Sequence, residues 1–197
     1  MGYCVPTTPP RPAWIKGGTI PTSTNNLLGI PLSMARSTDS FFIRASTLTN
    51  GKTYNQSALD LGAYVDALGK SVLRIHNISV QYGTPMGAYA GAIESSTQSA
   101  FQLTTQSQTA MVDISNRSVI ASGALAVGTG TTNVQMLNDG LDVSPQDWSE
   151  GYLVAVEQLY LGVDQTFDHV TQISIVLECT VETMTQAAAM ALALSQQ

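Results

Sequence analysis

Two histidines (His76, His169), two cysteines (Cys4, Cys179) and fourteen carboxylates are the side chains in this sequence suited to acid–base, nucleophilic or metal chemistry. Asp164, Asp168 and His169 fall close together and offer the oxygen and nitrogen donors that hold a divalent ion. A solvated acidic turn is the simpler reading of these residues. An ion bound there would best suit a junction between subunits. Cys4 and Cys179 show no metal-type or redox spacing, so they imply no framework and leave the compartment open. No nucleophile-elbow sequence is present. Gly128-Thr129-Gly130 lacks the lysine and following helix of a phosphate loop, and reads as a glycine turn. The pairs Asp139/Asp142 and Asp147/Glu150 lie in loops, beside no apolar pocket that would shift a pKa for acid–base work. The sequence therefore points away from an enzyme: it offers no catalytic residue, no cofactor site and no metal site beyond that weak trio.

Charge is informative in another way. The last basic residue is Arg117, and the 80 residues after it carry nine carboxylates. The first 117 residues carry all eight Lys+Arg against five acids, so the halves sum to +3 and −9. Charged residues make up 11% of the chain, against roughly 25% for an ordinary soluble domain. A dispersed monomer normally keeps a charged surface, so neighbouring copies are expected to cover much of this one. The basic N-terminal segment would then meet the acidic half of a neighbour. Residues 1–52 hold five basic residues and one acid, scattered rather than clustered. That is a weak footprint for nucleic acid, where many clustered charges displace counterions.

The elements that would carry these groups are mostly strands. Residues 1–39 form a Pro-rich segment with six of the eight prolines; proline fixes φ and removes a donor, so an extended arm is expected. Trp14, Ile15, Leu27, Leu28 and Ile30 would anchor it on neighbouring subunits. Residues 40–182 read as a β-sandwich domain. In Phe41-Phe42-Ile43-Arg44-Ala45, residues 41, 43 and 45 share one face. The spacing of Leu61, Tyr64, Val65 and Leu68 predicts a short helix ended by Gly69. Val72–Tyr82 is a long strand whose apolar phase slips at His76-Asn77, which one extra residue, a β-bulge, would repair. Shorter strands are predicted over 100–105, 109–114, 119–127 and 133–137. Ser144 and Pro145 resemble a cap and first turn of a short helix running into Trp148. Tyr152–Val163 is apolar on both faces and reads as one strand covered on both sides. Val170–Glu182 alternates, with Ile173, Ile175, Leu177, Cys179 and Val181 facing in. Residues 183–197 form the C-terminal segment. There Thr183 and Gln186 fit a capping box ahead of Ala187–Leu194, apolar on every face and therefore expected to be buried.

This order resembles the small single jelly-roll capsid proteins of icosahedral viruses: a Pro-rich arm, a first strand Phe41-Phe42-Ile43-Arg44, a short helix, a long strand Val72–Tyr82, and two long closing strands. The likeness covers roughly residues 40–182 and is one of architecture. It implies an all-β, antiparallel, eight-stranded jelly-roll sandwich of two four-stranded sheets, assembled in many copies in a virion, without enzymatic activity. The lack of a dense basic arm fits the coats of tailless DNA viruses, where an internal membrane or another protein lies between coat and genome.

The leading expectation is thus a structural capsid subunit that self-assembles through arm exchange and sandwich contacts. Its partners would be copies of itself and other virion proteins. Nucleic-acid contact would be weak or indirect, and the C-terminal helix would offer an inner-membrane contact. Residues expected at assembly contacts are Trp14, Lys16, Arg36, Met184, Met190, Leu192 and Leu194. One alternative is an extracellular filament or surface layer built by strand donation. The other is a monomeric glycan-binding sandwich using Trp14, Tyr54, Tyr64, Tyr82, Tyr89 and Trp148 as stacking rings.

Overall fold

A computed structural model describes residues 39–66, 70–83, 97–129, 134–136 and 147–197. They belong to a compact unit distinct from Met1–Ser33; the expected arm lies outside the described residues. Among the described residues nine strands are present: β1 (Phe41–Leu48), β2 (Asn55–Asp60), β3 (Ser71–Tyr82), β4 (Thr97–Thr104), β5 (Val119–Thr129), β6 (Val134–Met136), β7 (Asp147–Val154), β8 (Gln158–Gln165) and β9 (Gln172–Thr183). A C-terminal helix, α1 (Gln186–Ser195), follows.

The strands form two antiparallel sheets of order β1-β9-β3-β7 and β2-β8-β4-β5-β6. From β1 to β4, and again from β7 to β9, successive strands alternate between sheets. That is the interlocked Greek-key pattern of a jelly roll. The eight strands of a jelly roll are present among the described residues, though not all where the sequence placed them: β2 was not anticipated, and the short β6 adds a fifth strand to the second sheet. Inward residues of both sheets meet in one core, which includes Ile43, Leu73, Ile75, Ile78, Phe101, Leu103, Leu159, Leu161, Val163, Ile173, Ile175 and Leu177.

The local readings that held have clear physical causes. In β3, Ile75 pairs with Cys179 and Asn77 with Glu178, so His76 is the extra residue of a bulge. The bulge returns Ile78 to the core side after Leu73 and Ile75, as the phase slip required. β9 buries Ile173, Ile175, Leu177 and Cys179 in strict alternation, because only its inner face meets the opposing sheet. In β1 the alternation runs as read, with Ile43 buried and Phe42 and Arg44 exposed.

Five readings need correction. The apolar run 152–163 is two strands: β7 lies in the first sheet and β8 in the second, and residues 155–157 carry the chain between them. The run looked two-faced because Val154 faces the core while Ala155 is buried beneath α1. Residues 61–66 make one tight turn, in which the Val65 N–H donates to the Leu61 carbonyl at 2.9 Å before Asp66 bridges to Ser71; Leu68 and Gly69 lie outside the described residues. Residues 109–114 are a loop laid over the second sheet, and Asp147 and Trp148 begin β7 instead of continuing a helical turn. Finally, α1 is capped by Thr185, whose side chain accepts from the Ala188 N–H. Thr183 is still in β9, which Lys70 extends by accepting from the Met184 N–H at 2.8 Å.

Candidate assembly surface

The C-terminal helix is buried on one side only. Ala189 packs against Val72 and Ala155, flanked by Leu153, Met184, Leu192 and Ala193. Because α1 is apolar all round, its opposite side is apolar too, and there Met190 and Leu194 stand 44% and 68% exposed. The four helix-region residues expected at assembly contacts therefore divide. Met184 and Leu192 fasten the helix to its own sandwich, whereas Met190 and Leu194 face outward. Trp14, Lys16 and Arg36 lie outside the described residues. On the outer face of β1, Phe42 and Leu48 are also more than half exposed, and the Arg44 guanidinium lies 5.8 Å from the Phe42 ring centre.

What holds α1 in place is a residue that no sequence pattern singled out. Gln196, just past the helix, is buried. Its Nε2 donates to the Leu153 carbonyl at 2.6 Å, and its Oε1 accepts from the Ala155 N–H at 3.0 Å. Its own carbonyl accepts from Thr105 Oγ1 at 2.6 Å. Leu153 and Ala155 flank the point where the chain leaves the first sheet for the second. Leu153 lies on β7, an edge strand among the described residues, and Ala155 lies just past its end, and buried backbone groups need partners. One glutamine amide, which carries a donor and an acceptor, supplies both.

The outer face of the second sheet is covered by a polar network. The Gln102 Nε2 donates to Tyr54 Oη at 3.0 Å and to the Ala110 carbonyl at 3.2 Å, and its Oε1 accepts from the Val112 N–H at 2.9 Å. Gln56 reaches the same loop through Ser107 Oγ and the Gln108 N–H. Tyr54 lies so close over Gly162 that an added Cβ would stand 2.8 Å from its Cζ. Burial raises the Tyr54 pKa, opposed by the Gln102 hydrogen bond and helped by the Asp164 charge.

Among the described residues, two ion pairs join the basic half to the acidic half within the chain, whereas the pairing expected from the sequence was between copies. Arg74 grips Glu182 through Nε–Oε1 at 2.5 Å and NH2–Oε2 at 2.8 Å, and also donates to the Glu150 carbonyl. This bidentate hydrogen bond holds the Glu182 carboxyl below its ordinary pKa, against a smaller upward push from burial. Lys52 meets Asp168 at 3.1 Å, and both side chains are exposed.

The ion-binding trio does not come together as a site. Asp164 lies one residue before the end of β8 and accepts from the Gln165 N–H, while Asp168 is turned to Lys52. Among the described residues no three His, Cys, Asp or Glu side chains form a metal-holding group. His76, at the bulge, shares a 3.0 Å hydrogen bond with Thr180 Oγ1. Cys179 lies in the core, where burial and the Glu178 charge push its thiol up to about 12. Among the stacking rings, Tyr64 stacks on Phe41 at 4.9 Å, Tyr82 meets Phe101 edge-on at 6.3 Å and Trp148 packs on Tyr152 at 5.7 Å. Trp14 and Tyr89 lie outside the described residues.

No family model matches the chain, and no curated protein matches it. Among solved structures, a chain from desmodium yellow mottle tymovirus matches at 11% identity over 86% of this chain and 95% of that one, with a TM-score of 0.34. A likeness that distant carries no weight of its own, and the jelly roll rests on the strand order and register described above.

Proposed function

We propose that this chain is a structural subunit of a viral capsid, built to associate with copies of itself. The observation that carries the reading is the outward apolar side of α1, with Met190 and Leu194 exposed on a jelly-roll sandwich. A chain with 11% charged residues has little else to keep such a face in water, and burying each of these two side chains in a contact is worth about 1–2 kcal/mol. The jelly roll itself serves shells, lectins and cupins alike, so the fold alone does not choose among them. The chemistry of the faces supports a subunit instead: of the described aromatic rings, the exposed Phe42 and Tyr64 lie against Arg44 and Phe41 of the same chain, while the aliphatic Leu48, Met190 and Leu194 face out.

In this reading the partners are other copies, with other virion proteins and an inner membrane as further surfaces for α1. No described helix is long and apolar enough to cross a bilayer, so α1 would lie against a membrane. The filament alternative would use β1, which among the described residues pairs on one side only, with β9, and offers its other edge to strand addition.

The test is the double variant Met190→Glu with Leu194→Glu. Wild type is expected to form large closed particles by light scattering and electron microscopy. The variant should remain small while keeping the wild-type circular dichroism spectrum. Equal assembly by both proteins would remove α1 from the contact, and open fibres in place of shells would favour the filament.

A further inference from the structure

We propose that a groove beside Asp164 receives a guanidinium or ammonium group from a second copy of this chain; the choice of a second copy rests on the assembly reading above. The groove lies on the outer face of the second sheet and encloses about 320 Å³, lined by Gln98, Ala100, Met111, Asp164, Gln165 and Thr166. Its rim is fixed by backbone bonds: the Thr166 N–H donates to the Gln98 carbonyl at 2.9 Å, and the Gln98 N–H donates to Thr166 Oγ1 at 2.8 Å. Asp164 stands opposite Ala100 in the β4–β8 register and is only half exposed.

The Asp164 carboxylate is short of positive charge. Its Oδ1 accepts from the Gln165 N–H at 2.8 Å. Among the described residues the ion pairs are Lys52–Asp168 and Arg74–Glu182, and neither involves Asp164. A partly desolvated carboxylate beside Met111 and Ala100 suits a cation on an alkyl stem: the stem covers the apolar wall and the head meets the oxygen. Every lysine and arginine of the chain precedes residue 118. Of these, Arg44 and Arg117 are exposed and form no ion pair among the described residues. A second copy therefore carries a complementary charge that the described residues around the groove do not supply.

The test combines a small probe with assembly. The full chain, labelled at its methionine methyls, is titrated with ethylguanidinium under dissociating conditions, with sodium chloride matched for ionic strength. Light scattering then gives the protein concentration needed for assembly, in wild type and in Asp164→Asn. That variant keeps the shape and the Oδ1 acceptor but loses the charge. The expected result is a shift of the Met111 methyl in wild type, its loss in the variant, and an assembly threshold about five-fold higher in the variant. A Met111 methyl indifferent to the probe would overturn the cation groove. A probe response with an unchanged assembly threshold would overturn the second copy as its occupant. If wild type never assembles, the second copy falls with the assembly reading, while the Met111 response still reports on the groove separately.

Discussion

Replacing Gln196 by alanine should destabilise the sandwich from a position one residue short of its C-terminus. The substitution removes the amide that accepts from the Ala155 N–H and donates to the Leu153 carbonyl. Ala155 is 2% exposed, so its N–H is left in a site that water reaches poorly. A buried backbone group without a partner costs about 1–3 kcal/mol. The Leu153 carbonyl is only half-buried, which places it near the low end. Together the loss should be about 2–4 kcal/mol, or a fall in Tm of roughly 5–15 °C for a domain of this size. Gln196→Glu keeps the acceptor but sets an oxygen against the Leu153 carbonyl, so it should also destabilise. Gln197→Ala is the control, since Gln197 is exposed. The assay is urea unfolding followed by circular dichroism at one fixed protein concentration, because association shifts apparent stability. If Gln196→Ala and Gln197→Ala agree within about 0.5 kcal/mol, the amide does not hold the crossover and the reasoning fails.

Three further outcomes are expected. Glu182→Gln should lower stability at neutral pH by about 1–3 kcal/mol, since it leaves the Arg74 guanidinium poorly paired. Because the Glu182 pKa is depressed in the folded chain, its contribution is present above the ordinary carboxylate pKa and lost as pH falls through the folded value. The gap between variant and wild type, followed by urea unfolding, should therefore close on acidification; a gap independent of pH would refute the pair. In a Cys4→Ser background, Cys179 should react with a thiol reagent only at the rate of unfolding, since its thiol is buried and pushed up to about 12; fast labelling of native protein would contradict its place in the core. Gly162→Ala should cost about 1–3 kcal/mol by overpacking, because the new methyl would meet the Tyr54 ring at 2.8 and 2.9 Å, and an unchanged urea midpoint would show that Tyr54 moves aside freely.

The parts of the fold legible in the sequence are those where one side chain pattern had one cause. The period-two burial of β9 and the slipped phase at His76-Asn77 were readable because a half-buried strand shows its inner face directly. The β7–β8 boundary was not, because Ala155 stays buried under α1 and no glycine or proline marks the crossing. The 109–114 loop passed for a strand because Met111, Val112 and Ile114 are apolar, but its backbone is bonded to the Gln102 side chain instead of a neighbouring strand, and Ile114 stands exposed. Of the surface, the apolar character of α1 was plain, but which of its residues face outward depends on where Val72 and Ala155 stand. Gln196 offered no signal: a polar residue near a terminus looks solvated until the carbonyl and N–H that it satisfies are known. The basic–acidic division was visible, yet its partial settlement inside the chain, through Arg74–Glu182 and Lys52–Asp168, needed the fold.

The central claim is that this jelly roll is a shell subunit. Sedimentation velocity of the purified full-length chain across a range of concentrations, with electron microscopy of the fastest fraction, tests it most directly. Closed particles of uniform size, dispersed by Met190→Glu with Leu194→Glu, are the expected result. A strictly monomeric species at every concentration, with no particles on the grid, would contradict it.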